Sequence, residues 1–302
     1  MKYATDHAFR TALEARIKQG QTDSAGVSRM RKRIAFERLL ARLVAKAPGE
    51  WVLKGGFALE LRLGNVARST KDADFEWRLG EEDAVELLLD AAALDLGDHF
   101  TFALERADAE TDLLGGGQRW RVAVTLAGRT FERVVVDVAF AAAPVHPPEQ
   151  IATSNLLEFA GFEGVQVPTL GIEQHLAEKL HAYTREYAGG RRTTRVKDLV
   201  DVVVIANTSV IDATKLTEAI MVIFDRRAEH PVPASLPEPP AAWATPWRRL
   251  ARDVPATEEL ADGYREAAAL LDAVLNGTVA SGEWRPGNGW SSSQLSETQI
   301  RV

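Results

Sequence analysis

The chain has 302 residues, of which 46% are hydrophobic, so it can bury one large core or two ordinary ones. It contains no cysteine, which excludes disulfide bonds and metal sites built from thiolates. The formal net charge of −7 argues against a protein that coats nucleic acid indiscriminately, although a local basic patch can still bind RNA.

The spacing of apolar residues predicts an N-terminal helical segment over residues 5–47, followed by an α/β core over about 50–145. We expect a strand that ends at Lys54, a short helix after Gly55 and Gly56, and a second strand over 71–78. The same core is predicted to contain a helix at 83–93, strands at 100–107, 118–126 and 132–140, and a glycine turn at 115–117.

The second half of the chain is predicted to be mostly helical. Five prolines between residues 231 and 240 predict an extended connector, and the glycine-, serine- and tryptophan-rich segment 284–293 predicts irregular structure. We expect two domains, 1–150 and 151–302. The predicted helices lie near 172–187, 195–206, 212–227 and 257–276.

No apolar run is long enough for a membrane span and no secretory signal opens the chain, so we expect a cytoplasmic protein without a membrane partner.

A glycine pair and an aspartate pair form the first block of candidate functional residues. Gly55 and Gly56 lack a Cβ, so the backbone can approach phosphates closely at the N-terminus of the helix that follows. Asp72 and Asp74 are two residues apart on a predicted strand, which places both carboxylates on one side. Carboxylate oxygens are the ligands that Mg²⁺ prefers. This block predicts a site where a metal ion and a triphosphate meet.

A third acid interrupts a β-branched run. Asp137 lies in the middle of the predicted strand 132–140, where a charge is costly unless it meets a metal ion or a partner. Two interpretations remain open from the residues alone: a third metal ligand, or a structural aspartate held by hydrogen bonds.

A second block lies far downstream. Lys179 lies beside the apolar stripe of the predicted helix 172–187, so it can be partly buried. A lysine near a triphosphate neutralises charge on the transferred group, and Asp198 can orient that lysine or accept a proton from the attacking hydroxyl.

The order of these residues resembles a known family. Strand, Gly-Gly, helix and then Arg-x-Thr-x-Asp-x-Asp, with fifteen residues between Gly56 and Asp72, is similar to the nucleotidyltransferase superfamily that includes DNA polymerase β. Within it the chain resembles the AbiEii-like, or MenT-type, toxins of bacterial toxin–antitoxin systems. Lys179 and the Lys-Asp-x-x-Asp of residues 197–201 are similar to that family's later motifs. The resemblance spans about residues 30–205.

The resemblance implies an α+β fold, with a polymerase β-like nucleotidyltransferase core of mixed sheet and helices and a helical C-terminal half that completes the active site. It implies transfer of a nucleotide from an NTP to an RNA, plausibly the tRNA 3′ end, with Mg²⁺ or Mn²⁺ as cofactor and an antitoxin as partner. Asp72, Asp74, Lys179 and Asp198 would be catalytic. The metal would be held by Asp72, Asp74 and Asp137, and the nucleotide by Lys54, Gly55, Gly56, Arg68 and Thr70.

A basic loop adjoins the second block and predicts where RNA binds. Its four basic residues flank Asp198, where a polyphosphate or an RNA backbone must be held. Two alternatives stay open: transfer to a small molecule or a protein, and a non-catalytic nucleotide-binding module. The basic residues of this loop are Arg191, Arg192, Arg195 and Lys197.

Overall fold

The computed structural model describes residues 2–21, 23–107, 116–140, 143–185 and 195–291. The chain divides into two compact units, and residues 151–170, which follow the boundary expected from the sequence, group with the first of them. Unit 1 consists of Met1–Gly64, Ser69–Ala143 and Pro148–Leu170, and unit 2 of Asn65–Arg68, Pro144–Pro147 and Gly171–Val302.

Unit 1 is built on a seven-stranded mixed sheet with the order β3-β4-β5-β2-β1-β7-β6. Strand β2 pairs with β5, and β1 with β7, in parallel, whereas the remaining neighbours are antiparallel. The strands are β1 (Trp51–Lys54), β2 (Asp72–Trp77), β3 (Phe100–Arg106), β4 (Gly117–Leu126), β5 (Arg129–Phe140), β6 (Glu149–Ala152) and β7 (Gln166–Thr169). The helices are α1 (Asp6–Gln19), α2 (Ser24–Lys46), α3 (Gly55–Leu63) and α4 (Glu81–Ala93).

The core of unit 1 lies between α2 and the sheet. Phe36 of α2 and Phe57 of α3 are buried with their ring centroids 4.6 Å apart, and Trp51 packs edge to face on Phe75 of the next strand. Such aromatic pairs add about 1 kcal/mol beyond burial. The N-terminus of α2 is capped by Asp23, whose carboxylate accepts the backbone N–H of Gly26 at 2.7 Å. This packing holds β1, α3 and β2 in fixed register, which positions the candidate site.

Unit 2 is mainly helical, as the sequence predicts. A three-stranded sheet accompanies the helices, in the order β10-β9-β8. Residues 231–240 form neither helix nor strand, which agrees with the five prolines there. The helices are α5 (Ile172–Thr184), α6 (Val196–Thr208), α7 (Ala213–Arg227), α8 (Ala244–Ala251) and α9 (Leu260–Leu275), and the strands are β8 (Ile211–Asp212), β9 (Glu283–Arg285) and β10 (Gly289–Ser291).

One expectation is wrong in this unit. Residues 284–291 of the segment predicted to be irregular belong to the β9–β10 hairpin, which pairs with β8. The physical reason is that Trp284 is buried and its indole N–H donates to the carbonyl of Ala206 at 2.8 Å. A distant partner therefore orders a sequence whose composition alone favours a loop.

The mixed sheet and its helices confirm the predicted α+β fold. The predicted helices and strands occur where expected, with boundaries that shift by a few residues. The predicted glycine turn falls partly outside the described residues, and Gly117 already belongs to β4. Among the described residues, no helix combines the length and the apolar character that a membrane crossing requires.

Candidate active site

The junction between β1 and α3 forms one wall of the site in unit 1. The helix begins at Gly55, whose φ of 70° lies in the left-handed region. A Cβ on Gly55 would lie 1.7 Å from Oδ2 of Asp74. Only glycine therefore allows the Asp74 carboxylate to lie against the first turn of α3. The N-cap residue, Lys54, makes no side-chain capping bond to that turn.

A row of four charged residues crosses four adjacent strands of the sheet. Lys54 pairs with Asp74, Asp74 with Asp137, and Asp137 with Arg119, so all four side chains lie on one face. Asp72 precedes Asp74 by two residues and shares that face. We call these five residues the charged face. The predicted acid triplet, Asp72, Asp74 and Asp137, is thus brought together.

Asp137 is engaged by an arginine that the sequence did not single out. Arg119 donates from Nε to Oδ1 of Asp137 at 2.8 Å and from Nη2 to Oδ2 at 2.7 Å. This bond to Asp137 raises the pKa of Arg119 against the opposing effect of burial, and the charges of Asp72 and Asp74 raise it further. Both oxygens of Asp137 already have a partner, which favours the structural interpretation. Its role as a metal ligand stays a prediction.

Two residues predicted to bind nucleotide have protein partners in unit 1. Nζ of Lys54 lies 2.6 Å from Oε2 of Glu76, which is buried. The hydroxyl of Thr70 donates to Oδ1 of Asp72 at 2.7 Å and thereby orients that carboxylate. Asp72 and Asp74 are both partly exposed.

The charged face fits a divalent cation. Asp72 and Asp74 present two partly exposed carboxylates on one face of β2. Carboxylates are the oxygen ligands that Mg²⁺ and Mn²⁺ take. Asp72 and Asp74 are the residues that would hold it.

In unit 2, Lys179 of α5 lies between two aspartates of α6. Its Nζ is 2.9 Å from Oδ1 of Asp198 and 2.9 Å from Oδ2 of Asp201. Arg68 reaches Asp201 as well, with Nε 2.8 Å from Oδ1 and Nη2 2.9 Å from Oδ2. Arg68, predicted to bind nucleotide, is therefore paired with a carboxylate. We call these four residues the lysine cluster.

Charge pairing fixes the protonation of this cluster. Burial alone would lower the pKa of Lys179, but the carboxylates of Asp201 and Asp198 raise it well above its ordinary value. Burial alone would raise the pKa of Asp201, but Lys179 and Arg68 hold it below its ordinary value. Lys179 is therefore a permanent cation at physiological pH, suited to stabilising negative charge and not to accepting a proton.

One carboxylate oxygen of Asp198 has no hydrogen bond from the described residues. The residue is only 4% exposed, and the oxygen is Oδ2. Arg195 lies at a longer distance, 3.7 Å from that oxygen, and is itself half exposed. Lys197 is exposed on the first turn of α6, whereas Arg191 and Arg192 lie outside the described residues.

Asp201 and Arg119 are the functional candidates that the sequence analysis did not assign. Asp201 follows Asp198 by three residues, a spacing that puts two helical side chains on neighbouring positions and could have identified it. Arg119 depends on the register between β4 and β5, for which the sequence carries no local signal.

A strand, a glycine that opens a helix, and an Asp-x-Asp pair on the next strand form the arrangement that the sequence predicts for a nucleotidyltransferase. The model of the family described as nucleotidyl transferase AbiEii toxin, type IV toxin–antitoxin system, matches residues 38–274. Because this match spans most of the chain, the protein belongs to the AbiEii family of nucleotidyltransferase toxins. The family implies a nucleotide substrate and an antitoxin partner.

One solved structure supports the fold. MenT4, a nucleotidyltransferase toxin of Mycobacterium tuberculosis H37Rv, is similar with a TM-score of 0.54 and 24% identity, over 90% of this chain and 99% of that chain. JHP933 of Helicobacter pylori has a TM-score of 0.45 and 16% identity, over 82% and 93% of the two chains. The comparison with curated proteins found no match.

Proposed function

We propose that this toxin transfers a nucleotide from an NTP to an RNA, with the tRNA 3′ end as the first candidate acceptor, in a reaction that depends on Mg²⁺ or Mn²⁺. The charged face carries the proposal, because Asp72 and Asp74 present two partly exposed carboxylates on one side of β2, and Asp74 lies against the first turn of α3. When bound, the metal ion would polarise the phosphoryl oxygens and neutralise their charge.

The proposed chemistry is an in-line displacement. The acceptor hydroxyl oxygen forms a bond to the α-phosphorus, the bond between that phosphorus and the bridging oxygen breaks, and pyrophosphate leaves with the electron pair. The hydroxyl proton goes to Oδ2 of Asp198, the oxygen that has no hydrogen bond within the described protein. Lys179 stabilises negative charge on the transferred group, and Asp201 holds the Lys179 ammonium in place.

The glycine turn and the basic residues supply binding. Gly55 and Gly56 present the free N–H groups of the first turn of α3 to the triphosphate. Arg195 and Lys197 are exposed at the start of α6, next to Asp198, and support an RNA acceptor because cations there neutralise backbone phosphates. Arg191 and Arg192 extend this basic group in the sequence. An RNA acceptor would place the activity in the cytoplasm.

Incubation of the protein with each labelled NTP, Mg²⁺ and total RNA tests the proposal. We expect label to appear in the tRNA fraction, to require the divalent ion, and to be lost after removal of the tRNA 3′ end. Label on a protein or a small molecule would favour another acceptor, and NTP binding without transfer would indicate a non-catalytic module. In cells, we expect expression without the antitoxin to stop growth.

A further inference from the structure

Three potential metal ligands meet in unit 2 outside the lysine cluster. His181 lies on α5, and Glu229 and His230 follow the end of α7. One ligand atom from each lies within 4.8 Å of the other two, and the two imidazole centroids are 4.4 Å apart. The chain turns there at Ala228, which adopts a φ of 47°, an uncommon conformation for a residue with a Cβ. This turn brings Glu229 and His230 back toward α5.

Hydrogen bonding orients His230 for coordination. The hydroxyl of Thr184 lies 2.8 Å from Nε2 of His230 and 2.9 Å from the carbonyl oxygen of Leu180. The contact with Thr184 gives the imidazole of His230 an outer partner that holds the ring in place, as in most metal-binding histidines.

His181 offers a buried nitrogen. The residue is fully buried, and its Nε2 has no hydrogen-bond partner among the described residues. Burial, and then the positive charge of Arg227, lowers the pKa of His181 to about 3, with smaller effects from His230 and Arg185. The ring is therefore neutral at physiological pH, the form that binds metal ions. A buried polar atom without a partner is costly, and coordination would relieve that cost.

Two ion pairs flank the three ligands. Arg185 lies 2.8 Å from Glu229, and Arg227 lies 3.9 Å from Glu178. Nη1 of Arg227 also approaches Nδ1 of His181, at 3.5 Å, the outer limit of a hydrogen bond. A cation bound there would compete with Arg185 for the Glu229 carboxylate.

We propose that His181, Glu229 and His230 form a binding site for a transition-metal cation of the Zn²⁺ type. Two imidazoles and one carboxylate are a common zinc donor set, and the fourth position stays open to water. Nitrogen ligands favour Zn²⁺, Co²⁺ and Ni²⁺ over Mg²⁺, so this site differs in chemistry from the charged face. Coordination joins α5, the helix that carries Lys179, to the end of α7.

The test is a zinc titration of the untagged full chain, stripped of metal by a chelator, by calorimetry in excess Mg²⁺. We expect one Zn²⁺ per chain, and Co²⁺ in its place to give the visible absorption of a tetrahedral nitrogen–oxygen site. His230→Ala and Glu229→Gln should each weaken zinc binding by at least ~10-fold. These two residues are preferred because neither is fully buried, unlike His181.

Two control variants separate this site from others. His7→Ala removes an exposed histidine of α1, and Asp74→Ala removes a carboxylate of the charged face. Both should bind zinc as the wild type does. The proposal is overturned if the wild type takes up no zinc, or if His230→Ala binds it with unchanged affinity.

Discussion

Two buried aspartates of this protein each lie between two basic side chains, yet they differ in what remains unsatisfied. In unit 1, Asp98 accepts from Arg38 and Arg42, and its two oxygens receive four hydrogen bonds, one of them from the backbone N–H of Phe100. Asp98 and Arg42 are fully buried. Both oxygens of Asp98 are saturated by the protein, so neither is left for a substrate.

The lysine cluster of unit 2 has the same kind of pairing but a different outcome. Asp201 is held by Lys179 and Arg68, while Lys179 is shared with a second carboxylate, Asp198, whose Oδ2 accepts no hydrogen bond from the described residues. A paired, buried aspartate therefore does not by itself mark a reactive site. A carboxylate oxygen that is held in place without a hydrogen bond from the described residues is the more informative sign.

The largest effect is expected outside both clusters, on the charged face. Asp72→Ala and Asp74→Ala should each reduce nucleotide transfer to the background of the assay, because they remove the ligands of the metal ion. The melting temperature should stay close to that of the wild type, since clustered carboxylates repel each other when no metal is bound. Asp83→Ala, which removes an exposed aspartate of α4, is the matched control. Full transfer by either variant would end the metal assignment.

Breaking the Asp98 cluster, formed by Asp98, Arg38 and Arg42, should affect the fold. Asp98→Ala leaves Arg38 and Arg42 buried without a carboxylate, so we expect urea denaturation to show a loss of about 3–5 kcal/mol in the free energy of unfolding. Transfer per folded molecule should not change.

The pH dependence of that loss supplies the check. Burial alone would raise the pKa of Asp98, but Arg42 and Arg38 hold it below its ordinary value of 3.8. A lowered pKa means stability that is present above pH 3.8 and is lost as the pH falls through the folded-state pKa. The difference between wild type and variant should therefore be constant at neutral pH and shrink below pH 3.8. A constant difference in acid would contradict the ionic account.

Substitutions in the lysine cluster should lower the rate of transfer, whereas substitution of Asp98 should lower stability. Lys179→Ala and Asp198→Ala should each reduce turnover at least ~100-fold, the usual cost of losing a charge-stabilising or proton-accepting group. Binding of the Mg²⁺–NTP complex, measured by calorimetry, should change much less. Lys215→Ala, an exposed lysine of α7, is the control. Unchanged turnover in both variants would remove this cluster from the reaction.

The pair formed by Arg119 and Asp137 is predicted to be weaker, because Arg119 is more than a third exposed. Asp137→Asn and Arg119→Gln should be coupled by about 1 kcal/mol in a double-mutant cycle of unfolding free energies. Transfer by Asp137→Asn then decides between the two interpretations of this aspartate. Retained transfer with lower stability identifies a structural residue, and lost transfer supports the predicted metal ligand.

The smallest effect concerns RNA binding. Replacing Arg191, Arg192 and Arg195 together by Ala should weaken tRNA binding and flatten its salt dependence by up to about three units of log–log slope, at roughly 0.9 or less per phosphate contact. NTP affinity should change little. Arg265→Ala, an exposed arginine of α9, should keep the wild-type slope. An unchanged slope in the triple variant would favour a small acceptor.

The parts of the site that are close together in the sequence could be predicted, whereas the contacts between distant residues could not. The order β1, Gly55, α3 and β2 is local, so periodicity and two short motifs were enough to predict it. The pairing of Arg119 with Asp137 requires the register of β4 on β5, and a slip of one residue would place Arg119 on the opposite face. No local pattern carries that information.

Long-range contacts explain the other differences. The β9–β10 hairpin is held by Trp284, whose partner Ala206 lies in α6. The proposed zinc ligands His181 and His230 come from different helix ends, and their spacing matches no short metal-binding motif. Asp201, by contrast, lies within the motif that revealed Asp198 and needed only helical geometry to be identified.

We propose that the charged face serves the reaction, whereas the Asp98 cluster serves the fold. Asp74→Asn and Asp98→Asn test it most directly when label transfer and unfolding free energy are measured on the same preparations, at a temperature where both variants are folded. We predict that Asp74→Asn keeps its stability and loses transfer, and that Asp98→Asn loses stability and keeps transfer. Transfer at the wild-type rate by Asp74→Asn would contradict the account.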